Sequence, residues 1–600
     1  MERVRTTEKT SNRARWLPVV SWSRTYNREQ WVADTLAAGI VTLMLIPQSL
    51  AYAMLAGLPP QAGLYASMLP LVVYALLGSS RTLAVGPAAI TSLMTAAAIG
   101  QLDLAGPGQY WGAVLILSML SGLILLGMGV MRLGWLANYL SHPVVSGFIS
   151  ASGILIALSQ AKYLLGITVS GDTLWELIPA FWRELPNIHA PTLLLGGLAT
   201  GFLVWSRSYL QAVLMRAGLT RSWSATCVKA APIVAIIITT FVVWYWDLAE
   251  SGVKVVGTVP QGLPGLTWPV WDTALWKQLF VPALLLSVVG FVESISVGQT
   301  LAARRRQRIK PDQELVALGA SNVAAALSAG LPVTGGFSRS VVNFEAGAQT
   351  QAAGLYSAIG IAIAAFVLTP LLYYLPQAIL AATIIVAVWS LVDFRMMQRT
   401  WRYSRFDFSV VLATFLVTLM AGVEPGLLIG VSLALVVYLY RSSRPHVAVV
   451  GWIPGTEHFR NVLRHTVKTS AKVLGVRIDE SLYFANARFL EDRLNAIVAE
   501  CSELEHVVLQ CSAINDIDAS ALESLEAIEV RLKEAGICLH LSEVKGPVMD
   551  KLQNTLFLQH LSGRVFLTHY QAITALAPDL FETPGHEALA ASHHTSSPSK

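Results

Sequence analysis

Between residues 331 and 350 the sequence reads LPVTGGFSRSVVNFEAGAQT, a break in a chain whose neighbouring runs are apolar and long enough to cross a bilayer. Irregular backbone at that depth finds no water to bond, so it must be buried in protein or line a cavity. A charged side chain there costs at least about 2.5 kcal/mol on insertion scales, so Arg339 should face protein, a water-filled cavity or an anion. The pair Gly335–Gly336 ends one conformation, and Ser338 is placed to N-cap a new helix that starts inside the membrane. Backbone N–H groups at such a start, with the dipole behind them and a cation beside them, make an anion site.

Composition supports the membrane reading over the roughly four soluble domains that length alone would suggest. Charged residues are 13% of the chain and hydrophobic ones 54%, with a mean hydropathy of +0.55. The net charge of +5 is unevenly placed, so it speaks to topology rather than to nucleic acid. The four cysteines, Cys227, Cys501, Cys511 and Cys538, form no CxxC and have no nearby histidine, which supports neither a disulfide framework nor a zinc site. No nucleophile–base pair, phosphate loop or metal cluster suggests an enzyme, and no cofactor is expected. A basic, polar head of about thirty residues precedes the first apolar run and does not read as a signal peptide.

The first apolar run, about Trp31 to Leu55, is interrupted by Pro47-Gln48-Ser49, which predicts a kinked or discontinuous helix. PPQAGLYASMLP, residues 59–70, opens a second span to about Gly78. A third, Arg81 to Gly100, carries Gly86-Pro87 at its centre, so its helix should begin near Pro87, part-way into the membrane. Spans at about 109–131, 138–165, 192–215 and 229–247 complete a first set of seven. The second set begins near Phe280 with a span that holds Glu293 and ends in RRRQRIK, residues 304–310. It continues through about 312–329, a half-helix from 338, 352–373, 376–392, 406–422 and 425–441.

With a cytoplasmic N-terminus, Arg81, Arg132, Arg207, Arg216, Arg221, the 304–310 run, Arg395 to Arg405, Arg441 and Arg444 all fall inside, while Asp247 and Glu250 fall outside. The broken segment is third in each set, and an odd number of spans per half gives the halves opposite orientation, an inverted repeat. From about Pro445 the pattern becomes soluble. VLGVRI, LYF, HVVLQ, ICLHLS and RVFLT read as strands, alternating with helices at about 486–500, 519–535 and 547–554. The division expected is a cytoplasmic basic segment 1–30, a transmembrane domain 31–442, a cytoplasmic α/β domain 443–580 and a disordered tail 581–600.

PPQAGLYASMLP, AVGPAAITSLM and GGFSRSVVNFEAGAQTQAAGLYSA resemble the second-, third- and tenth-span motifs of the sulfate permease family, which also contains the solute-carrier anion exchangers and prestin. The soluble region resembles a STAS domain, with NDIDASAL matching its loop. Ala62 stands where the family's signature usually has an aromatic residue. The resemblance implies an α-helical membrane protein of fourteen spans in a 7+7 inverted repeat, core and gate domains moving in an elevator-like way, and a homodimer. It also implies an anion held between the third and tenth half-helices.

Several residues carry more than one reading. Arg339 is either the anion-site cation or a structural charge bonded to carbonyls that the broken helix leaves free. Ser338, with Phe337 beside it, either meets substrate or only begins the helix. Gln48 and Tyr52, one turn apart, bond substrate oxygens or neighbouring helices. Pro87, Ala88, Ala89 and Thr91 give the other half-helix end, where the amides from Ala88 onward either serve the anion or the small residues only let the two half-helix ends pack closely. Glu293, near mid-span, must be protonated or paired, which makes it a proton carrier, a salt-bridge partner of Arg339 or, less favoured, a sodium ligand. Lys162, Glu345 and Glu424 read as interfacial, and the 304–310 run as a topology determinant in reach of anionic lipid.

Ser520 follows Asp518 where related regulators are phosphorylated, but a helix start rich in aspartate and serine is also ordinary capping chemistry. The function expected is proton-coupled sulfate uptake across a bacterial inner membrane. The alternatives are bicarbonate, chloride or dicarboxylate transport or exchange, a channel-like conductor, and an anion sensor acting through the STAS domain.

Overall fold

The computed structural model describes residues 17–581 apart from 103, 105, 140, 141, 170, 172, 259, 260 and 368–371. The expectations for residues 1–16 of the basic head and 582–600 of the tail lie outside the described residues. The chain forms two compact units, Met1–Ala434 and Leu435–Lys600.

After a short helix, Val19–Arg24, the first unit continues with helix α1, Arg28–Leu55, started by a capping box in which Asn27 Oδ1 accepts from Gln30 N and Gln30 Oε1 accepts from Asn27 N. It runs on through Pro47 as one helix, so of the two expected alternatives, kinked or discontinuous, the discontinuous one does not hold. Proline removes one backbone hydrogen bond, and a membrane helix tolerates that loss where neighbours pack against it. Such a neighbour is the short helix Gln61–Tyr65, whose backbone comes so close that a Cβ on Gly63 would sit 1.8 Å from the Ser49 carbonyl oxygen. The hydroxyls of Ser49 and Ser67 close this contact at 2.7 Å. The second expected span is thus two short pieces, 61–65 and Leu69–Leu77.

Among the described residues, six helices are long and apolar enough to cross a membrane. A seventh is added if Leu174–Asn187 and Ala190–Arg216, bent by 120°, count as one span. The other expected spans are shorter helices. Two further helices, Leu174–Glu184 and Phe394–Tyr403, are amphipathic, and their interspersed polar residues leave no unbroken apolar run to mark them in the sequence.

At the centre of this unit lie two matching strand–helix breaks. Strand β1, Val85–Gly86, leads into α2, Ala89–Gly100, and is followed by α3, Pro107–Val130, and α4, His142–Leu165. Helices α5, Thr273–Arg304, and α6, Pro311–Leu327, precede strand β2, Thr334–Gly335, which leads into α7, Phe337–Glu345. Helices α8, Ala352–Val367, and α9, Gln377–Trp389, follow. The strands pair antiparallel, Val85 with Gly335 and Gly86 with Thr334. At 1.5 Å per residue α2 is about 18 Å long and α7 about 14 Å, against a hydrocarbon layer of about 30 Å, so each is a half-helix. The helix starts fall at Ala89, two residues after Pro87, and at Phe337, two residues before the start that a cap at Ser338 implied.

Polar side chains fix this crossing. Ser294 Oγ accepts from Gly335 N at 2.9 Å and meets Thr334 Oγ1 at 2.8 Å, while Asn322 bonds both the N–H and the carbonyl of Val333 at 2.9 Å. The loop into β1 is held by Glu314, 1% exposed, whose oxygens accept from Tyr74 Oη, from Ser79 N and Oγ, and from Ser80 N at 2.7–3.0 Å. Each donor stranded in the interior costs about 1–3 kcal/mol. Glu314→Ala is therefore expected to lower the melting temperature of the purified protein sharply and Glu314→Gln less so; an unchanged transition in the alanine variant would mean that other groups hold the loop.

The second unit holds a six-stranded sheet of order β4-β3-β5-β6-β7-β8, formed by Val447–Trp452 (β3), Phe459–Asn461 (β4), Val473–Ile478 (β5), His506–Gln510 (β6), Cys538–Ser542 (β7) and Val565–Phe566 (β8). The pairs from β5 to β8 are parallel and β3 is antiparallel to both its neighbours. Parallel strands are covered on both faces, which is why VLGVRI and HVVLQ read as continuous apolar runs. Three of the five expected strands are present as read, and RVFLT shortens to Val565–Phe566. LYF makes only an isolated bridge, Leu482 to Ile517, and β3 and β4 were not anticipated. Helices α10, Ala487–Ala499, and α11, Ala519–Glu534, fall where expected.

Candidate functional site

The half-helices α2 and α7 begin without side-chain caps, at Ala88 and Gly336. Ser338 does not serve as N-cap; it is the second residue of α7, and Ser340 bonds backwards instead, its Oγ donating to Gly336 O at 2.7 Å and accepting from Ala84 N at 3.0 Å. Among the described residues no hydroxyl or carboxylate caps the first-turn amides of either helix, and such amides are suited to an external acceptor.

Arg339, 2% exposed, ties the two breaks together. Its Nη2 donates to Gly86 O at 3.0 Å and to Thr334 O at 3.4 Å, and Nη1 donates to Pro87 O. Its Nε is buried without a hydrogen-bond partner. Arg339 thus satisfies carbonyls freed by the breaks, and among the described residues its Nε is left over. The guanidinium lies so close to Gly336 that a Cβ there would sit 2.8 Å from Nη2, which explains a glycine at that position. Gly86, at φ +156°, supplies a backbone conformation that other residues rarely adopt.

A cavity of about 60 Å³ opens here. Gln48 and Tyr52 reach it from α1, Ala88 and Ala89 from the start of α2, Glu293 from α5, and Phe337, Ser338 and Arg339 from α7. Pro87 and Thr91 do not line it. Pro87 contributes a carbonyl to Arg339, and the fully buried Thr91 hydroxyl turns back to Ala88 O at 3.1 Å. Glu293 Oε2 is buried without a hydrogen-bond partner, and among the described residues no ion pair joins it to Arg339. A carboxyl in that setting is costly to keep charged without a partner.

The opposite wall comes from the end of α9 and its continuation: Ala387, Val388, Ser390 and Leu391. Sequence reading did not find these residues, and an apolar helix end carries no signal for them. Ser294, Thr334, Asn322 and Ser340 were also missed; polar residues inside apolar runs were the available signal. The remaining candidates lie elsewhere. Lys162 donates to Val169 O at 3.1 Å at the end of α4, and Glu424 lies in the first turn of the helix Val423–Ser443. Ser520 is exposed in the first turn of α11, where Asp518 is the cap, accepting from Ala521 N at 2.8 Å.

The site is thus a small cavity between two uncapped half-helix starts, with one buried cation, one carboxyl whose Oε2 is buried without a hydrogen-bond partner among the described residues, and an amide and a phenol from α1. Free first-turn amides beside a cation are the kind of donor set that suits a small anion, and a carboxyl is a group that takes up and gives off protons. Residues 32–414 match the sulfate permease family and residues 465–572 match the STAS domain. The chain is 35% identical over 539 residues to the chloroplastic sulfate transporter 4.1 of Arabidopsis thaliana, covering 88% of this chain and 77% of that one. It is 33% identical to a probable sulfate transporter of Mycobacterium tuberculosis, covering 94% and 99%. Its fold resembles that of murine solute carrier 26 family member A9, an anion transporter solved in the inward-facing state, with a TM-score of 0.85, 22% identity and 96% of each chain covered.

Proposed function

The chain belongs to the sulfate permease family, whose match spans residues 32–414, and from that membership we propose that it is a secondary active transporter taking up sulfate with protons. The observation that carries this reading is the shared cavity: Arg339, the two half-helix starts and Glu293 all line one small space. A site that only detected an anion would have no need of a buried carboxyl beside the cation. In this reading the amides at Ala88–Ala89 and Phe337–Ser338 bind the oxyanion, Arg339 supplies charge, and Gln48 and Tyr52 orient it. Glu293 takes a proton as the anion enters, so the loaded site carries less net negative charge. Proton coupling is favoured over sodium because a single carboxyl, Glu293, lines the cavity, and one carboxyl suffices to carry a proton.

The N-terminus and the soluble domain are assigned to the cytoplasm of a bacterial inner-membrane protein, on the arginine distribution, and the working unit is assigned as a homodimer. Sulfate leads among anions because the similar curated proteins are named as sulfate transporters. The test is competition: labelled sulfate entering proteoliposomes that hold the purified protein, against a tenfold excess of unlabelled sulfate, bicarbonate, chloride or a dicarboxylate. Unlabelled sulfate alone should suppress the signal strongly. Stronger suppression by bicarbonate or a dicarboxylate would reassign the substrate within the same fold.

A further inference from the structure

We propose that Arg305 is a positioning residue for the anion site, clamping the C-terminal end of the half-helix α7 to the end of α5, the helix that carries Glu293; this rests on the anion-site reading above. Arg305 is the C-cap of α5, its own N–H donating to Ala302 O at 3.0 Å while Arg306 N donates to Ala303 O at 3.1 Å. Its side chain leaves the basic run and turns inward. Nη2 donates to Phe344 O at 3.0 Å, Nη1 donates to Ala348 O, and the guanidinium carbon lies 4.5 Å from the centre of the Phe344 ring. Phe344 is in the last turn of α7, and Ala348 lies in the turn beyond it.

The same turn is gripped from α1. Asp34, fully buried, accepts from Gln349 N at 2.6 Å and Thr350 N at 3.1 Å through Oδ1, and from Thr350 Oγ1 at 2.6 Å and Tyr26 Oη at 3.2 Å through Oδ2. The turn after α7 is therefore held by a cation from the Glu293 helix and an anion from the Gln48–Tyr52 helix. All of the helices concerned also line the cavity at their other ends or middles.

A nine-residue helix has little stability of its own and takes its position from tertiary contacts. The start of α7 is uncapped and offered to ligand, so its far end is where it can be fixed along its axis. Arg305 does this at the negative end of the helix dipole, where a cation is favourable, and its planar fork meets two carbonyls while stacking on an aromatic face. The simpler account of the basic run is that it sets membrane orientation, which any lysine or arginine satisfies. Arg304, Arg306 and Arg308 are exposed and fit that account; Arg305 is partly buried and is bonded.

The test compares wild type, Arg305→Ala, Arg305→Lys, Phe344→Leu and the control Arg306→Ala. It reads concentration-dependent sulfate uptake in proteoliposomes and amide hydrogen exchange across residues 337–348. Because a displacement of about 1 Å can cost about a hundredfold at a tightly arranged site, Arg305→Ala should raise the apparent KM about tenfold and speed exchange in 337–348 but not in α3. Arg305→Lys should recover less than half of that loss, Phe344→Leu should shift KM the same way, and Arg306→Ala should behave as wild type. Full rescue by lysine, or an unchanged KM in Arg305→Ala, would overturn the clamp. If Arg305→Ala does not accumulate, Arg305→Lys and Phe344→Leu decide. If wild type itself carries no sulfate, the substrate reading fails, and hydrogen exchange alone judges the clamp.

Discussion

Replacing Arg339 by alanine is expected to cut anion uptake at least about 30-fold, since truncating one partner of a buried, hydrogen-bonded charge contact costs about 2–5 kcal/mol. The loss has two sources. The carbonyls of Gly86, Pro87 and Thr334 lose their donors, so the two breaks are no longer tied together, and the positive charge beside the half-helix starts disappears. Arg339→Lys separates them: it restores charge without a planar fork able to reach three carbonyls. Lysine should therefore return weak, low-affinity uptake. If Arg339→Ala transports with an unchanged apparent KM, Arg339 does not belong to the anion site and the cavity has been misread.

The second large effect is expected at Glu293. Glu293→Gln keeps shape and hydrogen-bonding capacity but fixes the neutral state, so sulfate binding should persist while the response to a proton gradient vanishes. With one proton coupled to each anion, a gradient of one pH unit supplies about 1.4 kcal/mol, or about tenfold in accumulation. Wild type should show that gain and Glu293→Gln none, measured as internal labelled sulfate at steady state with acid outside. A variant that still accumulates sulfate with the gradient would place the proton on another group. Because no ion pair to Arg339 competes for the Glu293 carboxyl among the described residues, the substitution should not collapse the site.

Much of this architecture was legible in the residues because the membrane makes irregular backbone conspicuous. Gly86-Pro87 and Gly335–Gly336 stand out in apolar surroundings, and the structure places strand–helix breaks at both and pairs them. Arg339 and Glu293 were legible for the same reason: charge at that depth needs a purpose. Pro47 leaves kink and break open, because a proline signal does not reveal whether a neighbour such as Gly63 packs against the helix and carries it through, as it does here. Ser338 was taken for a cap because the reading relied on residue type. Backbone geometry gives the cap position to Gly336, while Ser340, one turn on, does the bonding.

What stayed hidden were contacts between segments far apart in sequence. Nothing local marks Glu314 as the acceptor for Tyr74, Ser79 and Ser80, or Asp34 as the holder of the turn at 349–350. The run at 304–310 looked uniform, and only folding distinguishes Arg305 from its neighbours. The wall of the cavity at Val388 and Leu391 belongs to an ordinary apolar helix end, so it could emerge only once the helices were placed. In the soluble unit, β3 was overlooked because VAVVGW follows directly on the last apolar helix and shares its composition.

The measurement that bears most directly on the central claim is labelled-sulfate uptake by purified wild-type protein in proteoliposomes, with and without an inward proton gradient at constant membrane potential. Uptake that the gradient accelerates and drives above equilibrium is the result expected of proton-coupled sulfate transport. Uptake that proceeds equally in both conditions and stops at equilibrium would contradict it.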